Sequence, residues 1–103
     1  MARAAKSTIA TKEKSDRLYR AILRLKSEEE CYNFFLDLCT ISEMRAMEQR
    51  YEVAALLASG MIYSEIRSQT GASSATISRV NRSLIIGAGG YDVVLERMKE
   101  QEK

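Results

Sequence analysis

The feature that most constrains this chain is a tight turn inside residues 60–84, GMIYSEIRSQTGASSATISRVNRSL. Helical spacing predicts one short helix over 64–70 and a second from 74 to about 84. Only residues 71–73 connect them, and Gly71 can adopt the positive φ that ends one helix and lets another begin at once. The chain contains no proline and five glycines. Long helices are therefore easy to form, and the sequence predicts an all-α fold.

Apolar residues at helical spacing predict four more helices, which makes about six in all. Ser15 or Asp16 caps the first, which ends near Lys26. Ser27 caps the second, and Glu30 three residues later completes a capping box.

Thr40 with Glu43 forms another capping box, with Ser42 as an alternative cap, at the start of a long third helix. That helix runs to 59 and ends at Gly60. Residues 87–90 form a flexible glycine-rich hinge, and the last helix covers 91–98. We expect a flexible N-terminal arm at 1–14 and a single domain at 15–103, which contains the two short helices at about 64–84.

The second predicted helix is apolar around too much of its circumference for a surface helix. At about 100° per residue its apolar side chains span about 200°. A chain this short has little to cover two sides of one helix, so the pattern predicts an interlocked two-fold homodimer. A dense monomeric core is the alternative. The apolar residues are Cys31, Tyr32, Phe34, Phe35, Leu36, Leu38 and Cys39.

Composition excludes several kinds of site. There is no histidine, and the only two cysteines, Cys31 and Cys39, are too far apart on one helix to form a disulfide. A zinc site or a Cys-His nucleophile therefore cannot be built, and we expect neither an enzyme nor a metal. No apolar stretch approaches the roughly 20 residues of a membrane span, and no leader suggests export. We expect a cytoplasmic protein.

The net charge of +2 is too small to indicate nucleic acid by itself, but its distribution is informative. Residues 1–14 carry +3 and residues 61–86 carry +2, whereas 15–60 carry −2 and 87–103 carry −1. Positive charge therefore concentrates on the arm and on the two short helices. The arm is either simply disordered, which we favour, or a DNA-contacting tail.

The two short helices have the layout of a helix-turn-helix, whose second helix enters the DNA major groove. Small and polar residues at the start of the second helix would let its backbone approach base edges, while Ile77, Val80 and Leu84 are spaced for packing. A helical hairpin with a solvated Ser/Thr face is the alternative. The candidate DNA-binding residues are Arg67, Ser73, Ser74, Ala75, Thr76, Ser78, Arg79 and Arg82.

Residues 40–84 resemble the core of the Trp repressor family. The phrases ECYNFFLDLCT, QRYEVAALL and TGASSATISRV are similar to its Trp repressor-like YerC/YecD branch, so the resemblance runs from about 16 to 98. It implies an all-α intertwined homodimer that binds double-stranded DNA through two helix-turn-helices, as a sequence-specific transcriptional regulator and repressor. The family's DNA contacts fall on Arg67, Ser74, Ala75 and Ser78. The alternative is a protein–protein interaction domain that keeps the helix-turn-helix as a scaffold.

The resemblance also implies a possible ligand pocket, because Trp repressor holds its corepressor between two arginines. Their counterparts are Arg50 and Arg79, with Thr40 and Ser83 at other ligand-side positions. Val80, however, replaces a glycine that leaves room for the indole. We therefore favour no cofactor over tryptophan. Arg50 would then form a salt bridge to Glu43 or Glu48, and Arg79 would contact a phosphate.

Overall fold

The computed structural model describes residues 16–102, and within that range it contains six α-helices and no strand. The all-α prediction is therefore confirmed. The predicted arm at 1–14 lies outside the described residues. None of the described helices has the length and apolar character needed to cross a membrane. The helices are α1 (Asp16–Ile22), α2 (Glu28–Leu38), α3 (Ile41–Ala58), α4 (Tyr63–Thr70), α5 (Ser74–Ile86) and α6 (Gly90–Glu102).

The chain forms two compact units, a first unit up to Ile41 and a second unit from Ser42 onward. In the first unit, α1 ends four residues earlier than the sequence predicts. After Ile22 the backbone tightens, with Leu25 N–H donating to the Ile22 carbonyl three residues back. The side chain of Glu30 then accepts from the Lys26 N–H at 2.8 Å. This bond holds the chain at Lys26 outside a helix, just before α2 begins, so α1 cannot extend as far as Lys26.

The cap of α2 is half of the predicted capping box. Ser27 has extended backbone, and its hydroxyl accepts from the Glu30 N–H at 3.0 Å, as expected. The Glu30 carboxylate, however, bonds to Lys26 N–H, one residue before the cap. Backbone N–H groups on both sides of Ser27, those of Lys26 and Glu30, therefore have hydrogen-bond acceptors at the start of α2.

Neither helix of the first unit contains a buried residue. Phe34 and Phe35 pack edge to face, with ring centroids 5.8 Å apart, yet both rings are only half-buried. Leu23 is 83% exposed and Leu38 is 50% exposed. A single copy of the chain thus leaves part of the apolar surface of this unit in contact with water.

The second unit has its own hydrophobic core. Helix α3 contributes Val53 and Ala54, α4 contributes Ile66, and α5 contributes Ile77 and Val80. Each of these side chains is at least 98% buried. The predicted packing of Ile77, Val80 and Leu84 is confirmed, with Leu84 partly buried at the edge of the cluster.

The end of α3 is set by Gly60, whose φ is +93°. The Met61 N–H donates to the Leu56 carbonyl and the Gly60 N–H to the Leu57 carbonyl. These two bonds form a Schellman motif, which closes the last turn of the helix and satisfies its free carbonyls. Helix α4 can therefore begin only three residues later, at Tyr63.

The glycine-rich segment before α6 is shorter than the predicted hinge. The Gly87 N–H donates to the Ser83 carbonyl at 2.9 Å and ends α5. Gly89 has a φ of +87°, and Gly90 is already the first residue of α6. The last two helices are each longer than predicted because the chain needs only three residues to pass between them.

Candidate nucleic-acid interface

The turn between α4 and α5 is held by backbone bonds and by one buried side chain. Gly71 adopts a φ of +74°, and its N–H donates to the Arg67 carbonyl at 2.9 Å. A residue with a Cβ would be strained in this left-handed conformation. Ala72 follows and is 3% exposed, as part of the core of the second unit. The predicted turn is therefore present, and Ala72 anchors it.

Ser73 caps α5. Its hydroxyl accepts from the Thr76 N–H at 3.1 Å and donates to the Thr76 hydroxyl at 3.1 Å. These bonds satisfy the first turn of the helix, a contribution of about 1 kcal/mol for a typical cap. Thr76 is partly buried, so its hydroxyl serves the cap and lies at the margin of the exposed surface.

One side of α5 carries five of the predicted DNA-binding residues, all of them exposed. At about 100° per residue they span about 140° of the helix, and Thr76 lies outside that arc. Ile77 and Val80 point the opposite way, into the core. We call the exposed arc the reading face; it consists of Ser74, Ala75, Ser78, Arg79 and Arg82.

An open cleft of about 530 Å³ lies beside the start of α5. It combines one guanidinium, three hydroxyls and the turn itself, and it is lined by Ser64, Arg67, Ser68, Gly71, Ala72 and Ser73. Free N–H groups at a helix start and a nearby guanidinium both favour an anion such as a phosphate. Sequence reasoning identified Arg67 and Ser73 but missed Ser64 and Ser68. Their spacing of four residues, which places them on one side of α4, was the available signal.

The residues of the possible ligand pocket are mostly exposed, and one belongs to the core. Arg50, Arg79 and Ser83 are exposed, and Thr40 is exposed in the first unit. Val80 is 2% exposed, so its side chain is core where the resemblance places a glycine. The carboxylate of Glu48 receives two bonds of 2.8 Å from Arg45, so the described ion pair of Glu48 is with Arg45 rather than with Arg50.

Comparisons with known proteins agree with this arrangement. The family model described as "Trp repressor protein" matches residues 13–99. The uncharacterized protein YerC of Bacillus subtilis is 53% identical over 87 residues, which cover 84% of each chain.

Two solved structures are similar at a TM-score of 0.79 each. One is a Staphylococcus aureus protein provisionally described as a Trp repressor, 49% identical, with 82% of this chain and 84% of that chain covered. The other is a TrpR-like protein from Eubacterium eligens, 52% identical, with 82% and 87% covered. Sequence match, helix order and the helix-turn-helix agree, and the chain belongs to the Trp repressor family.

Proposed function

We propose that this protein is a sequence-specific transcriptional regulator that binds double-stranded DNA as a homodimer through its helix-turn-helix. The observation that carries the proposal is the reading face beside the cleft at the start of α5. Small side chains at Ser74 and Ala75 allow close approach to base edges, and Ser78 can exchange hydrogen bonds with them. Arg79 and Arg82 extend the same face with two positive charges.

The cleft and the reading face would contact different parts of the DNA. Arg67 and the hydroxyls around it are suited to a phosphate of the DNA backbone, which fixes the protein's register on the duplex. The reading face would then lie along the major groove and distinguish bases. Phosphate contacts supply affinity without sequence information, so both parts are needed for a regulator.

The homodimer is supported by the first unit. Its two helices contain no buried residue, and Phe34, Phe35 and Leu38 remain half-buried or exposed in one chain. Apolar surface of this kind is stabilised by removal from water, at about 25 cal/mol per Å². A second copy of the chain would cover it and place two reading faces about 34 Å apart, one turn of DNA.

The regulator would act where the chromosome is, in the cytoplasm of a bacterium like those that supply its relatives. We propose repression as the outcome, because a dimer bound across an operator excludes other proteins from it. No cofactor is part of the proposal, since Val80 fills the position that would have to be empty for an indole.

Selection of binding sites from random duplex DNA at low salt tests the proposal. We expect enriched sites to be palindromic, with half-sites about 34 Å apart. Arg67→Ala should weaken binding to such a site about tenfold and reduce its salt dependence by about one unit of slope. Arg97→Ala, which removes an exposed arginine from α6, is the matched control and should bind as the wild type does.

Failure to enrich any sequence at low salt would reject the proposal. The protein–protein interaction domain would then be the better account of the fold, because fold alone does not fix function. Equal losses for Arg67→Ala and Arg97→Ala would show that bulk charge, rather than the cleft, governs binding.

A further inference from the structure

A polar connection links the turn of the helix-turn-helix to the long helix α3. The side-chain amide of Gln49 donates to the Thr70 carbonyl at 3.2 Å, across 21 residues of sequence. Both residues are partly buried.

Thr70 also forms hydrogen bonds within the turn through its side chain. Its hydroxyl donates to the Ile66 carbonyl at 2.7 Å and accepts from the Ala72 N–H at 3.1 Å. The Ala72 N–H would otherwise point into a partly buried region without a partner, which is costly. One threonine thus holds the end of α4 with its hydroxyl and presents its carbonyl to α3.

These bonds lie directly before the start of α5. Ala72 is anchored in the core and Ser73 caps the helix, so the position of Ala72 determines where the first turn of α5 begins. Packing of Ala72 alone leaves rotation about a small side chain, whereas a hydrogen bond is directional. Gln49 therefore adds a directional contact with α3 to the apolar packing of Ile77 and Val80 that holds α5.

We propose that Gln49 and Thr70 are positioning residues for DNA recognition, which hold the turn so that the reading face meets base edges in one orientation. This inference rests on the proposed function. Neither residue lies on the reading face, and neither lines the cleft. Their effect should therefore fall on discrimination between sequences, and general attraction to the DNA backbone should remain.

The test compares affinity for a selected operator duplex with affinity for a random-sequence duplex at one salt concentration. Gln49→Met keeps the length of the side chain but removes its donor, and Thr70→Val keeps the shape but removes the hydroxyl. Each should lose about three- to tenfold for the operator, the usual effect of one hydrogen bond. Affinity for the random duplex should stay unchanged.

Thr70→Ser restores the hydroxyl and should recover the ratio of operator to random affinity. Gln101→Met makes the same chemical change on exposed α6 and should leave that ratio as in the wild type. A purely structural role would lower both affinities together as the folded fraction falls, so the ratio separates the two accounts. If Thr70→Val does not fold, Gln49→Met decides the matter, since it removes a single bond.

An unchanged ratio in Gln49→Met, a parallel loss for both duplexes, or failure of Thr70→Ser to recover the ratio would each overturn the inference. A wild-type protein that selects an operator while Gln49→Met keeps the full ratio rejects this inference alone. A wild-type protein that selects no DNA rejects the proposed function and this inference with it.

Discussion

The two units of this chain differ in whether a single copy gives them a fully buried core. In the second unit, helices from three parts of the sequence enclose Val53, Ile66 and Ile77, none of which is exposed at all. In the first unit, α1 and α2 contain leucines and two phenylalanines but no buried residue. Both regions are helical and rich in apolar side chains, so composition alone does not separate them.

The difference teaches that the helix-turn-helix belongs to a unit with its own core, whereas α1 and α2 contain no buried residue. The second unit can hold its turn, cap and reading face in place with its own core. The first unit has exposed apolar side chains and no buried residue in either helix, which is the basis of the proposed homodimer. Stability of the first unit should therefore depend on protein concentration, and that of the second should depend on it far less.

The largest expected effect comes from Phe35→Ala in the first unit. If the ring is buried against a second copy, its loss should cost about 3–5 kcal/mol, and dissociation should accompany unfolding. Sedimentation at low micromolar concentration should show the wild type at about twice the 11.6 kDa chain mass and the variant shifted toward it. A stable wild-type monomer with a cooperative melt would contradict the homodimer.

The second unit is tested by Ile77→Ala, which should destabilise it by about 2–5 kcal/mol through the cavity left in the core. Ile62→Ala is the matched control, because Ile62 is 62% exposed. Denaturant melts followed at several protein concentrations should show the Ile77 effect at each one. Equal costs for both variants would mean that Ile62 is buried in the assembled protein.

A third test asks how full the core of the second unit is. Val80 is core where the resemblance places a glycine, so we expect tryptophan binding to be weakened by about 1–3 kcal/mol, or one to two decades of affinity. Calorimetry with millimolar tryptophan should give little heat with the wild type and more with Val80→Gly, whose folding is checked by circular dichroism. Tight wild-type binding, together with a gain in DNA affinity, would contradict this expectation.

The smallest expected effect is at the cap of α5. Ser73→Ala removes both bonds to Thr76 and should cost about 1 kcal/mol. Ser74→Ala, one residue later and without a described role in the cap, should leave the melting temperature nearly unchanged. Both variants have the same volume change, so a difference between them measures the cap. Equal melting temperatures would indicate that water replaces the Ser73 hydroxyl.

The helix-turn-helix was predictable because its determinants are local. Gly71 ends one helix and Ser73 starts the next through bonds to residues within four positions. The reading face followed from the same spacing. The early end of α1 was not predictable, because the Glu30 side chain could have bonded Ser27 or Lys26 with equal plausibility. The bond from Gln49 to Thr70 was also out of reach, since no periodic pattern connects residues 21 positions apart.

The exit from α5 has a consequence for how this protein can vary. A Cβ at Gly87 would lie 2.3 Å from the Ser83 carbonyl oxygen, whereas a Cβ at Gly90 would meet nothing within 4 Å. In a library that samples every amino acid at each position, 87 should accept glycine alone, although it lies beyond the last turn of α5, about 7 Å along the helix axis from Arg82 and about 20 Å from Ser74. Position 90 should accept many residues. Intolerance at 87 would then report the geometry of the polypeptide and not a contact with DNA, and maps of mutational sensitivity should be read with that distinction in mind.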